Sequence, residues 1–206
     1  MNKALSEKSD VPKPEANPQS PNAIKKKVVF FDRDGTLIID KIYLNDPDQI
    51  EYLPGAFATL KLLQDAGFSF VIVTNQSGVA RGIVQIANLD EIHRRMTIAY
   101  AAHGIGFLGF YYAPYSVESN HPMRKPNAGM LLQAAADHNV DLSMSWMVGD
   151  RISDVEAGLK AGCRTILLKG VEPQEAVDGG RQTVFVDDLE GVCNFILKHS
   201  QTSGSD

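Results

Sequence analysis

At 206 residues, 44% of them apolar and 22% charged, the chain has enough sequence for one domain-sized core without help from disulfides or oligomerisation. Its net charge of −5 gives no general attraction to nucleic acid or to an acidic membrane surface, and no apolar stretch approaches the roughly 20 residues of a spanning helix. The N-terminus lacks the apolar core of a secretion signal, and Cys163 and Cys193 stand too far apart for a metal pair, so a cytoplasmic protein with two reduced, buried thiols is expected.

Residues 1–24 carry Pro12, Pro14, Pro18 and Pro21 among Ser, Asn, Glu and Lys, with no hydrophobic period. Such a segment cannot bury enough surface to offset its ordering entropy and is expected to be a disordered tail, as is 201–206. Between them, 25–200 forms the folded body. Apolar runs of strand length fall at 27–31, 68–74, 109–113, 146–148, 165–168 and 183–186, and helical patterns at 56–66, 88–103, 129–139, 153–161 and 189–199. Strand and helix in alternation predict an α/β fold, a doubly wound parallel sheet covered on both faces. In such sheets ligands bind beyond the carboxyl ends of the strands, beside the point where strand order reverses, so the residues after each strand carry the information.

The first strand, VVFF, runs into Asp32, Asp34, Gly35 and Thr36. The second ends in Thr74, Asn75, Gln76 and Ser77, and the loop after the third closes with Arg124, Lys125 and Pro126 ahead of a helix. The fourth delivers Gly149, Asp150, Arg151 and, one turn on, Asp154. Asp32, Asp150 and the backbone carbonyl of Asp34 are the hard oxygen ligands that Mg²⁺ requires, with room left for water and a phosphate oxygen. Thr74 and Lys125 suit the remaining phosphoryl oxygens, where charge concentrates in the transition state. Asp32 is the natural nucleophile, forming an aspartyl-phosphate. Asp34 then protonates the leaving alkoxide and later takes a proton from water, which requires a raised pKa at the start of the cycle. Taken singly, an Asp-x-Asp is more often a turn, a Thr after a strand a helix cap and a Lys a solvated charge; four such matches in order are not.

DxDGT, the threonine after the second strand, the lysine before a later helix and GDxxxD together make the chain resemble the haloacid-dehalogenase-like (HAD) phosphatases over residues 27–190. The resemblance implies the same roles for Asp32, Asp34, Thr74, Lys125 and Asp150, and has Asp154 acting either through a water or by orienting the lysine. DRDGTLIIDKIYL, LPGA, TNQSGVARG, FYYAPYS and RKPNAGMLLQA are similar to the branch without a cap domain, which holds D-glycero-D-manno-heptose 1,7-bisphosphate phosphatases and histidinol-phosphate phosphatases. That likeness implies that Asp40, Lys41, Ile42 and Tyr43, Thr74 to Ser77 (through Asn75 and Gln76), Arg124 and Arg151 face the substrate. The two arginines suit a second phosphate or sugar hydroxyls, and Arg81 is equally well read as a loop anchor. The stretches between Thr36 and Thr74 and between Ser77 and Lys125 leave no room for a lid domain, so short loops must supply selectivity.

Many members of that branch carry zinc on Cys-x-His and Cys-x-Cys pairs. The corresponding residues here are Ala113, Tyr115, His121 and Met123, so no zinc is expected and His121 reads as a solvated loop residue. His93, His103, His138 and His199 fall in helical stretches without visible partners. The preferred expectation is a monomeric, Mg²⁺-dependent phosphatase of a small sugar phosphate, with the 7-phosphate of heptose 1,7-bisphosphate as first choice and histidinol phosphate as second. A phosphoacceptor signalling domain shares the acidic pocket, Thr and Lys, but its acceptor aspartate follows a middle strand rather than opening the domain. A catalytically dead binding module conflicts with every chemical position being filled.

Overall fold

The computed structural model describes residues 24–168 and 183–200; the tail 1–23 and the end 201–206 lie outside them. Six strands, β1 (Val28–Phe31), β2 (Ser69–Asn75), β3 (Phe107–Ala113), β4 (Trp146–Gly149), β5 (Arg164–Leu168) and β6 (Thr183–Val186), pair in parallel in the order β3-β2-β1-β4-β5-β6. The chain builds outward from β1 to β3, then returns to lay β4 against the other side of β1. Strand order therefore reverses between β1 and β4, and a crevice opens there.

Every residue of β1 is buried because a central parallel strand has no solvent face. Its side chains alternate. Val29 and Phe31 pack with Leu60 and Leu63 of α1 (Ala56–Asp65), Ile92 and Met96 of α3 (Ile86–Ala101) and Val192 and Ile196 of α6 (Leu189–Ser200). Val28 and Phe30 pack with Met130 and Leu131 of α4 (Gly129–His138) and Ala157 of α5 (Ile152–Ala161). Two apolar layers thus sandwich the sheet, and Cys163 and Cys193 are buried within them.

The elements fall where hydrophobic periodicity predicts them, with shifted ends. β3 begins at Phe107 rather than Gly109, since the glycine, a usual strand breaker, is accommodated where a Cβ would press on the Tyr111 ring. Ser77–Ala80 closes one helical turn, α2. No helix among the described residues is long and apolar enough to cross a membrane. The connections after β1 and β2 hold loops, a 3-10 turn at Pro47–Gln49, α1, α2 and α3, and among the described residues no cap domain sits over the strand ends.

Candidate active site

At the switch point the backbone of Asp32 is tied to the neighbouring strand, its N–H donating to the Val148 carbonyl at 2.9 Å. Its carboxylate Oδ1 accepts from the Arg33 backbone N–H at 2.8 Å and faces the Lys125 ammonium at 2.9 Å. Lys125 is buried and also reaches Asp154 Oδ1 and the Val73 carbonyl, both at 2.7 Å. Burial works against its charge, but Asp154 and Asp32 outweigh burial and hold the ammonium above its ordinary pKa. Asn75 grips the lysine's backbone from both sides: its Oδ1 accepts from the Lys125 N–H and its Nδ2 donates to the Lys125 carbonyl, each at 3.0 Å.

Oxygens of Asp32, Asp150 and Asp154 lie within 4.8 Å of one another. Asp154 is already engaged, by Lys125 and by the Arg151 N–H at 3.0 Å, which fits orienting the lysine. Asp150 differs, for its buried Oδ1 has neither a hydrogen-bond partner nor a cation against it, whereas Asp154 Oδ1 meets the Lys125 ammonium. Burial, and then the charge of Asp32, push its carboxyl up to about 6. An orphaned carboxylate oxygen facing a second carboxylate fits a hard divalent cation. Two glycines allow the crowding. Gly35, at φ +80°, abuts the Asp150 carboxyl and Gly149 the Asp154 carboxyl, in both cases where a Cβ would collide.

Asp34 sits beside this cluster. Arg33 Nε donates to its Oδ2 and Nη2 to its Oδ1, both at 3.0 Å, and Gln76 Nε2 donates to Oδ2 at 2.9 Å and to Thr74 Oγ1 at 2.9 Å. Burial raises the Asp34 pKa, with Arg33 opposing and Asp32 adding to the rise. Sequence reasoning passed over Arg33, which is 1% exposed and whose Nη1 meets His93 Nε2 at 3.2 Å. The four histidines of the predicted helical stretches do have partners, His103 lying just past the end of α3. Besides His93 on Arg33, His103 stacks on Phe57, His138 meets the Tyr111 hydroxyl and His199 stacks on Phe195.

Asp32, Asp34, Thr74, Asn75, Gln76, Ser77 and Lys125 line the floor and flank of a cavity of about 370 Å³, and Asp40, Ile42, Tyr43, Arg124 and Arg151 line its mouth. Asp40 folds the mouth loop, accepting from the Ile42 N–H at 2.7 Å and pairing with Arg151 at 2.8 Å. Lys41, expected to face the substrate, instead pairs with Glu51 and is not part of the cavity wall. Arg124 donates to the Tyr115 carbonyl at 3.2 Å, and the Tyr115 ring stacks on His121 at 3.5 Å, so His121 is braced rather than freely solvated. Burial lowers the Arg124 pKa; Glu118 opposes this, and the charges of Arg151 and Arg81 add to it. Arg124 thus has two guanidiniums near enough to act on it, Arg151 on the cavity wall and Arg81 over the Tyr43 ring.

The HAD-hydrolase-like family profile matches residues 122–192. The chain is 38% identical over 176 residues to the D-glycero-beta-D-manno-heptose-1,7-bisphosphate 7-phosphatase of Pasteurella multocida, covering 82% of this chain and 94% of that protein. It is 34% identical to the enzyme of the same name from Vibrio cholerae, covering 84% and 97%. The crystal structure of D,D-heptose 1,7-bisphosphate phosphatase from B. bronchiseptica, complexed with magnesium and phosphate, superposes with a TM-score of 0.74 at 32% identity, over 84% of this chain and 99% of that one. With strand-end geometry and kinship in agreement, the chain belongs to the heptose 1,7-bisphosphate 7-phosphatase family of HAD-like phosphatases and is a phosphoric monoester hydrolase.

Proposed function

We propose that this phosphatase removes the 7-phosphate of heptose 1,7-bisphosphate by way of an aspartyl-phosphate on Asp32. A carboxylate oxygen of Asp32 attacks phosphorus while the ester P–O bond breaks and Asp34 gives its proton to the departing alkoxide. Water then loses a proton to Asp34 and attacks the acyl phosphate, freeing Asp32 and inorganic phosphate. Lys125, fixed by Asp154 and by the Asn75 clamp, and Thr74, fixed by Gln76, hold the phosphoryl oxygens. Asp32, Asp150 and the Asp34 carbonyl would hold Mg²⁺, which offsets the repulsion between an anionic nucleophile and an anionic ester.

The observation that carries the choice of substrate is Arg124 at the mouth. Its guanidinium lines the cavity and donates to a backbone carbonyl, and among the described residues no carboxylate forms an ion pair with it, whereas Arg151 is paired with Asp40. A cation left without an ion-pair partner favours a substrate with a second anion beyond the scissile phosphate. Histidinol phosphate would instead bring a cationic amine there. The test is kcat/KM with Mg²⁺ for both compounds. The bisphosphate is expected to exceed histidinol phosphate by two orders of magnitude or more, on the order of 3 kcal/mol of transition-state binding; a tenfold preference for histidinol phosphate would remove the first choice.

A further inference from the structure

Arg33 is the largest fully buried side chain among the described residues; it lines the cavity, and its side chain bonds to Asp34 and His93. Its planar fork spans both oxygens of Asp34 at 3.0 Å, leaving Nη1 to find a partner away from the carboxylate. That partner comes from α3, 60 residues on. His93 is 8% exposed, with its ring stacked on Phe110 of β3 at a centroid distance of 4.8 Å and an angle of 26°. A guanidinium has donors only, so the His93 Nε2 at 3.2 Å must present its lone pair. Burial and the neighbouring Arg33 charge push the imidazole down to about 3, which keeps it neutral and able to accept.

We propose that Arg33 and His93 are positioning residues for proton transfer: His93, braced by β3 and α3, fixes the Arg33 fork, and the fork fixes the Asp34 carboxyl toward the leaving-group oxygen. Asp34 lies on a turn just past β1, where backbone alone leaves its side-chain torsions free, and a bidentate fork removes that freedom. Loss of the His93 acceptor leaves a buried N–H unsatisfied, and the fork must shift to recover a partner. The inference rests on Asp34 being the acid and base.

The experiment compares kcat/KM, which reports steps through the first bond cleavage, for an alkyl sugar phosphate and for p-nitrophenyl phosphate, whose leaving group needs no proton. It uses the full-length protein with Mg²⁺. His93→Leu and Arg33→Lys are expected to lose about tenfold more on the alkyl ester than on the aryl ester, and His93→Gln, which keeps an acceptor, to recover to within about threefold of the parent on both. Arg33→Lys keeps the buried charge and so reads the same contrast should His93→Leu not accumulate. Equal losses on the two esters in these variants, or His93→Gln no better than His93→Leu, would overturn the positioning role. Asp34→Asn separates the two ideas, because equal losses in that variant would remove the acid role of Asp34 itself.

Discussion

At the floor of the cavity Lys125 is held by Asp32, Asp154 and the Val73 carbonyl, and Asp34 by both arms of Arg33 and by Gln76. At the mouth Ile42 stands 80% exposed at φ +68°, Val117 is 60% exposed, and Arg124 has a backbone carbonyl as its hydrogen-bond acceptor. The floor is anchored to strand ends at the point where the sheet reverses, so Asp32, Asp34 and Lys125 each meet a fixed partner before any ligand arrives, while Asp150 keeps an unpartnered oxygen. The mouth is built from loops, which leaves charge and apolar surface facing solvent. Chemistry and selectivity thus rest on parts of the molecule with different rigidity, and substitutions in the two regions are expected to differ in both size and sign.

The largest effect is expected from Asp32→Asn, which removes the attacking carboxylate: phosphate release with Mg²⁺ should fall by about three orders of magnitude or more, and covalent labelling should vanish. Residual turnover within tenfold of the parent would displace Asp32 from that role. Next comes Lys125→Met, which leaves two carboxylates without their buried cation. Breaking one partner of a buried pair costs about 3–5 kcal/mol, so the melting temperature should drop by about 10 °C, together with loss of turnover. A melting temperature within 2 °C of the parent would mean that the floor is less tightly determined than its contacts indicate.

Much of this floor was legible in the sequence because each of its groups follows directly on an apolar run. Asp32 and Asp34 after β1, Thr74 at the end of β2 and Asp150 after β4 need only the rule that parallel strands present their carboxyl ends to the ligand. The bracing around them was not legible. Arg33 and His93 lie 60 positions apart, and Asn75 and Lys125 lie 50 apart; neither pair shares a periodic pattern, and only the packing of α3 and of the loop before α4 brings them together. The mouth was less legible still. Asp40 to Tyr43 are consecutive, and the conformation of the loop decides that three of them line the cavity while Lys41 turns to Glu51.

His93 gives the floor a pH signature. Its folded pKa of about 3 lies below the value near 6.5 of an unfolded chain. Below pH 6.5 the unfolded state therefore binds a proton that the folded state refuses, and stability is lost as pH falls. Between pH 7 and pH 5 this amounts to about 2 kcal/mol. Asp150, raised to about 6, acts in the opposite sense, so the measurement is a difference: urea unfolding of the parent should show about 2 kcal/mol more acid destabilisation over that interval than His93→Gln. Parallel pH profiles would mean that His93 titrates in the fold as it does in the unfolded chain, and would remove its role as a neutral acceptor. At the mouth, Arg124→Ala should raise KM for the bisphosphate about tenfold and for a monophosphate about twofold, since one charge-assisted hydrogen bond is worth about 1.5–3 kcal/mol. Equal rises on the two substrates would place Arg124 on the scissile phosphate instead.

The smallest expected effect has the opposite sign. A β-branched residue in the left-handed region pays about 1–2 kcal/mol in clashes between its Cβ and the backbone, and Ile42 is mostly solvated, so packing returns little of that cost. What holds the conformation is the turn itself, through the Asp40 carboxylate accepting from the Ile42 N–H and pairing with Arg151. Glycine adopts the same backbone without strain but loses more entropy on folding, so Ile42→Gly should stabilise the protein by about 1 kcal/mol, a rise of about 2–4 °C in melting temperature. Strain kept at an exposed position is characteristic of sites where a side chain is presented to a ligand. The gain in stability should therefore be accompanied by a higher KM for the sugar bisphosphate, with p-nitrophenyl phosphate, which does not reach the mouth, unaffected. A variant that melts lower than the parent would show that Ile42 is packed in solution, and one that melts higher with unchanged KM for both substrates would leave the strain without a role in binding.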